Sequence, residues 1–208
     1  MYPRERWARW AVDLPGDPSW QRDAAGRGRY AYCTAGTFLL GQILERVTGT
    51  PVDRWIEAEL LAPIGITKVV WPRSPIGEVM TGGGLRMSTR DLARLGELVL
   101  ARGVWNGTAV VPAAWIEQMT TKHRDPDESQ DPEQVLDYGY LMWRRDYRTP
   151  CGVETGWYMS GNGGNHVVVL GELGAVLVVT TVNYNTRGMH QQTVRVLEDR
   201  IAPRLRCR

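Results

Sequence analysis

The fold is decided by residues 156–182, which read GWYMSGNGGNHVVVLGELGAVLVVTTV. Two apolar runs, 166–170 and 175–182, are separated by a short glycine-containing turn, and a glycine-rich stretch separates them from an earlier run at 156–160. Short runs rich in Val and bounded by glycine are typical of β-strands joined by tight turns. Together with a run at 138–144, they predict an antiparallel meander of four strands.

Segments with helical periodicity precede and follow this predicted meander in the sequence. Residues 35–48 place apolar side chains at helical spacing and are followed by Gly49, so they predict a buried helix that ends at this glycine. Helices, then strands, then a helix predict an α+β fold in which helices cover an antiparallel sheet. We expect a single domain over 1–208. The other predicted helices cover 51–63, 89–99, 112–119 and 191–205, the helical part spans about 30–125, and the sheet with its closing helix spans about 138–205.

Composition excludes several classes of protein. The chain has 25 Lys and Arg against 23 Asp and Glu, and a net charge of +2 gives no field that would gather nucleic acid. The most apolar stretch, 167–182, is interrupted by Gly171, Glu172 and Gly174, so it predicts no membrane-spanning helix. Residues 1–20 lack the apolar core of a secretory signal, which leaves the compartment open.

Cysteine and histidine spacing indicates neither a metal site nor a cofactor. Cys33, Cys151 and Cys207 form no Cys-x-x-Cys pair, and their odd number favours a reduced compartment over a disulfide scaffold. We expect Cys33 to be a small buried core thiol and Trp115 to face the core. The histidines lie apart at His123, His166 and His190, with no metal-ligand spacing.

A candidate site begins at Tyr32-Cys33-Thr34-Ala35-Gly36, directly before the first predicted helix. On local sequence alone Thr34 is predicted to cap that helix, although its side chain could instead point into a cleft. The stretch resembles the second motif, Tyr-x-Asn, of the serine β-lactamase and penicillin-binding family, and more widely the class C β-lactamase-related hydrolases. The resemblance implies that the Tyr32 phenol takes part in proton transfer. Thr34 stands where the family has the substrate-binding Asn.

The same resemblance implies a β-lactamase/transpeptidase-like fold and a third motif at Met159-Ser160-Gly161. Gly161 matches the family glycine, the family cation is absent, and a backbone amide at Asn162 would stabilise an oxyanion. We therefore expect Tyr32, Ser160 and Gly161 to be catalytic, and Thr34, Asn162 and Gly163 to bind substrate. The alternative is a glycine-rich turn without function. Further matching segments are 61–66, 82–88, 91–94 and 105–107.

The first family motif, Ser-x-x-Lys, does not occur in the 208 residues. We therefore expect a carboxy-terminal part of a serine hydrolase acting on a small ester, amide or lactam, incomplete at its amino-terminal side. The alternative is a non-catalytic remnant or ligand-binding domain of the same fold. Ser160 lacks a Gly-x-Ser-x-Gly elbow, which disfavours a separate triad with His166. An open sheet edge and uncovered apolar surface along Val194, Leu197 and Ile201 predict self-association.

Overall fold

The computed structural model describes most of the chain. Its residues divide into two compact units, Met1–Met87 and Ser88–Arg208. Within the described part, no helix is both long and apolar enough to cross a membrane. The described residues are 6–16, 21–22, 24, 26, 28, 30–124 and 137–207.

Three helices lie in the described part of the first unit. Helix α1 spans Trp7–Val12, α2 spans Thr34–Thr48, and α3 spans Val52–Ile56 and continues as a π-helical segment, Glu57–Leu61. The left-handed conformation of Gly49 ends α2, as the sequence predicts. The core between α1 and α2 consists of Ala11, Phe38 and Met80, with partly buried Trp7, Ala8, Ala35 and Leu39 around them.

Two glycines bring the segment after Met80 against α2. A Cβ atom on Gly41 would lie 2.3 Å from the hydroxyl oxygen of Thr81, and one on Gly82 would lie 2.6 Å from the carbonyl oxygen of Thr34. The Thr81 hydroxyl also donates to the Thr37 carbonyl oxygen at 3.1 Å. Because no larger residue fits at either position, these glycines fix the backbone beside the first turn of α2.

Five antiparallel strands form the sheet in the described part of the second unit, and they lie side by side in chain order. The α+β prediction with an antiparallel sheet is confirmed. Gly139 and the left-handed Leu141 interrupt the predicted strand 138–144, so the chain pairs again only from Trp143. The strands are β3 Asp137–Tyr138, β4 Trp143–Thr149, β5 Gly152–Gly161, β6 Asn165–Leu170 and β7 Ala175–Val179; a separate hairpin joins β1 Val104–Trp105 to β2 Thr108–Ala109.

Helices cover both faces of this sheet. On one face lies helix α4, Thr89–Leu100, whose Gly96 is so close to Val167 and Val176 that a Cβ there would approach them within 2.9 Å. On the other face Leu197 packs with Val168 and other residues of the core. The helices of this unit are α4 Thr89–Leu100, α5 Ala113–Met119 and α6 Met189–Val196, the last continuing as a π-helical segment Leu197–Ile201 and a 3₁₀ turn Ala202–Arg204.

Burial of the closing helix contradicts one prediction. Val194 and Leu197 are buried and Ile201 packs against the same core, so the apolar surface expected there is covered. The apolar residues of α2 are less buried than predicted, because the described part of the first unit covers this helix along one side only. Exposed large apolar side chains lie instead at Leu40, Ile43, Val47 and Trp115, the last of which was expected in the core. Self-association stays a prediction.

Two cysteine predictions are wrong. Cys151 and Cys207 form a disulfide with a Cα–Cα distance of 5.6 Å, because the turn between β4 and β5 meets the end of the chain. Cys33 is exposed rather than buried, since it precedes the first turn of α2. A disulfide between residues 56 positions apart has no local sequence signal.

Candidate active site

The second-motif residues lie at the start of α2. Tyr32 is 52% exposed, two residues before the helix. Thr34 is the first helical residue and Cys33 occupies the N-cap position, so the predicted capping role of Thr34 is wrong. Because Gly82 packs against the backbone and methyl group of Thr34, this end of the helix is held firmly.

An apolar cavity of about 120 Å³ lies beside Thr34 in the first unit. Trp7 of α1 and Phe38 of α2 meet edge to face on its wall, with ring centroids 6.1 Å apart. The side chain of Glu78 accepts hydrogen bonds from the Trp7 and Ala8 backbone N–H groups, at 2.8 and 3.2 Å, and so fixes the start of α1. The cavity is lined by Trp7, Trp10, Ala11, Thr34, Ala35, Phe38 and Met80.

The third-motif residues lie at the end of β5 in the second unit. The pairing of β4 with β5 ends at Trp143 and Tyr158. The following residues, 159–161, pair with β6 but have no β4 partner. They therefore form a strand edge with backbone groups turned away from β6, which is the feature that an oxyanion-binding amide needs.

The glycine-rich turn after β5 is tightly held. The side-chain amide of Asn162 donates to the Asn185 side-chain oxygen at 3.1 Å, and its own oxygen accepts from the Asn185 backbone N–H at 3.3 Å. A Cβ on Gly163 would lie 2.9 Å from the Tyr184 ring. A Cβ on Gly164 would lie 2.7 Å from the Met189 carbonyl oxygen. Both glycines have positive φ, so the turn has a single fixed shape that other residues would strain.

Ser160 faces two imidazoles on the α6 side of the sheet. The register of β5 and β6 places His166 directly opposite Ser160, and His190 lies in the first turn of α6. The Ser160 hydroxyl oxygen is 3.5 Å from His166 Nε2 and 3.4 Å from His190 Nδ1. The two ring nitrogens are 3.1 Å apart. The three atoms therefore converge on one point beneath the strand end.

His166 is held neutral by its surroundings. Its side chain is only 3% exposed. Burial, then the neighbouring His190 and Arg145, lower the pKa of His166 from 6.5 to about 3. The Tyr158 ring stacks at 5.1 Å from the His166 ring, and the buried Arg145 pairs with Glu198 at 3.1 Å. His166 is thus uncharged near neutral pH.

The structure brings together residues that sequence spacing left apart. Ser160, Gly161, Asn162 and Gly163 share the end of β5 and its turn, whereas Tyr32 and Thr34 belong to the other unit. Sequence reasoning missed His190, because no local motif links it to a serine 30 residues earlier. Among the described residues, no three His, Cys, Asp or Glu side chains group as metal ligands.

Comparison with known proteins decides the family. The model of the Beta-lactamase family matches residues 17–199. The chain belongs to the beta-lactamase family. This family contains hydrolases, and the fold is the one expected from the sequence. The roles of Tyr32, Ser160 and Gly161 stay predictions.

Among the relatives of this beta-lactamase family chain is the 6-aminohexanoate-dimer hydrolase of Paenarthrobacter ureafaciens, which is 33% identical over 126 residues. That match covers 55% of the chain and 31% of the relative. A Bacillus anthracis structure provisionally described as a 6-aminohexanoate-dimer hydrolase shares the fold, with a TM-score of 0.66 and 18% identity over 88% of this chain and 46% of that one. A penicillin-binding protein homologue from Pyrococcus abyssi has a TM-score of 0.58 and 20% identity, covering 81% and 42% of the two chains. The chain thus spans less than half of the length of these relatives.

Proposed function

We propose that this chain forms part of a serine hydrolase that cleaves a small amide, ester or lactam through an acyl-enzyme. Membership of the beta-lactamase family carries the proposal. In this role the Tyr32 phenol moves the proton of the nucleophile, and the strand end at Ser160 and Gly161 supplies donors for the oxyanion. The nucleophile of the Ser-x-x-Lys type is not among the 208 residues.

The exposure of Tyr32 supports its part in the proposal. A proton-transfer group must reach the substrate, and Tyr32 is half-exposed beside a helix end that Gly82 and Thr34 hold in place. At the position of Thr34 the family has the side-chain amide of an Asn. The Thr34 hydroxyl can donate only one hydrogen bond there. We infer that Asn162, whose side chain is bound to Asn185, contributes to substrate binding through its backbone.

A linear amide is the substrate class that we favour. The printed name of the Paenarthrobacter ureafaciens relative describes an enzyme that hydrolyses a dimer of 6-aminohexanoate, and the sequence match to it is the basis for this choice. The apolar cavity beside Thr34 is compatible with the methylene chain of such a substrate, because its lining is almost entirely apolar.

The alternative is a ligand-binding domain of the same fold without turnover. Thr34 in place of the family amide and Met159 in place of the family cation favour it, since each removes a polar group that substrate or transition state would use. Such a domain would still bind amide or lactam ligands. It would form no acyl adduct at a Ser-x-x-Lys serine.

The test uses the longest open reading frame that contains these residues. Its product is assayed on a chromogenic ester, a chromogenic β-lactam and a linear dimer of 6-aminohexanoate. We expect hydrolysis that Tyr32→Phe lowers by about 100-fold or more and that Thr34→Asn raises. Tyr140→Phe is the matched control, because it removes another exposed phenol, in the second unit. Absence of hydrolysis of all three substrates would refute the proposal, and saturable binding without turnover would support the alternative.

A further inference from the structure

The Ser160 hydroxyl has the surroundings of a nucleophile in its own right. His166 Nε2 and His190 Nδ1 both lie within 3.5 Å of its oxygen. A general base must come within hydrogen-bond reach of the proton that it takes, and such contacts are often long before substrate binds. No Ser-x-x-Lys pair is needed for this arrangement.

The buried ring nitrogen of His166 fixes the roles of the two imidazoles. His166 Nδ1 is buried and has no hydrogen-bond partner among the described residues. A proton there would be a buried donor without an acceptor, which costs free energy, so we assign the proton to Nε2. That N–H faces two acceptors, the Ser160 hydroxyl oxygen at 3.5 Å and His190 Nδ1 at 3.1 Å. Because His190 Nδ1 has a single lone pair, it accepts the Ser160 hydroxyl, at 3.4 Å, when the His166 N–H donates to the Ser160 oxygen.

Exposure distinguishes the two histidines in the same way. His166 is almost completely buried, whereas His190 and Ser160 are both partly exposed. A base that returns its proton to a leaving group must be reachable by that group. His190 meets this condition, and His166 is a positioning residue that orients the Ser160 hydroxyl toward it.

We propose that Ser160 is an acyl-accepting nucleophile with His190 as its general base, and that it reacts with short-chain activated esters. The imidazoles of His166 and His190 flank the hydroxyl and Ser160 is only partly exposed, so the acyl group must be short. The leaving group must be a stabilised one, such as a phenolate, because no cationic residue occupies the third motif.

The reaction is an acyl transfer. The Ser160 oxygen attacks the ester carbon while His190 Nδ1 takes the hydroxyl proton. The bond from the ester carbon to the leaving oxygen breaks, and that oxygen leaves with the electron pair and receives the proton from His190. Acyl-Ser160 and an alcohol or phenol are the products. Water then attacks the acyl carbon in the same way and releases a carboxylic acid.

The experiment uses the 208-residue chain and 4-nitrophenyl acetate. Release of 4-nitrophenol is followed in a stopped-flow instrument, and the acetylated residue is located by peptide mass spectrometry after acid quenching. The variants are Ser160→Ala, His190→Gln and His123→Gln. The last removes an imidazole that stacks on Tyr140 and lies outside the cluster, and circular dichroism checks that each variant is folded.

We expect acetyl-Ser160 in the wild type and in His123→Gln, none at that position in Ser160→Ala, and an acylation rate at least about 100-fold lower in His190→Gln. Wild-type protein without acetyl-Ser160 would overturn the proposal, whatever the variants do. Acetylation of Ser160 at an unchanged rate in His190→Gln would overturn the role of His190. Hydrolysis by the product of the longest open reading frame tests the proposed function separately, since no Ser-x-x-Lys serine is among these residues.

Discussion

Acidification should destabilise the second unit through the buried His166. In the folded protein the pKa of His166 is lowered to about 3, whereas in the unfolded chain the imidazole has its ordinary value of 6.5. Between these values the unfolded chain binds a proton that the folded chain does not bind. The free energy of unfolding therefore falls as the pH decreases below 6.5, and the fall ends near the folded pKa.

The expected loss follows from this difference. One proton taken up on unfolding changes the free energy by about 1.4 kcal/mol for each pH unit, so lowering the pH from about 7 to about 4.5 should cost about 2.5 kcal/mol. His166→Gln removes the titrating ring and keeps a neutral polar side chain in its place. The difference in stability between the wild type and His166→Gln should shrink by this amount as the pH falls.

Urea denaturation at a series of pH values measures the difference directly. Each protein is unfolded at about pH 7, 6, 5 and 4.5. At each pH the free energy of unfolding of the variant is subtracted from that of the wild type, which removes the contribution of carboxylates common to both. A difference that stays constant over this range would refute the reasoning, because it would mean that burial does not keep His166 uncharged.

The glycine turn and the disulfide give further expectations. Gly164→Ala should lower the free energy of unfolding by about 2 kcal/mol or more in urea denaturation, because its φ is positive and the new Cβ would lie 2.7 Å from a carbonyl oxygen. Gly171→Ala should change it by less than about 0.5 kcal/mol, since the space around Gly171 is open, and equal losses in both variants would contradict the turn geometry. Reduction of the Cys151–Cys207 disulfide should cost up to about 4 kcal/mol, the loop-closure value for residues 56 apart, and an unchanged melting temperature in dithiothreitol would contradict this.

Elements with strong local signals were predictable. Ser88 caps α4 through the Asp91 backbone N–H at 3.1 Å, as its capping-box sequence indicates. Asn106 and Gly107 form the left-handed turn between β1 and β2 that their sequence favours. Leu197 and Ile201 share one face of the closing helix, as their spacing predicts, although that face is buried and not uncovered as expected. In each case residues close together in the sequence are sufficient to predict the element.

Burial on α2 was not predictable in the same way. Leu40, Ile43 and Val47 have helical spacing, yet each is more than half exposed. Periodicity shows which residues share a face, but the presence of a packing partner depends on other parts of the chain. Phe38 and Met80 provide the contact that buries the opposite side.

The sequence by itself determined the family, the α+β class, the position of Tyr32 before a helix and that of Ser160 in a strand, because short motifs and local periodicity contain this information. The tertiary structure alone decided that Ser160 meets His166 and His190 and that Cys151 pairs with Cys207. These contacts depend on the register of two strands and on where α6 and the chain end dock. Packing across the whole unit sets the strand register and these docking positions, and no local stretch of sequence encodes either.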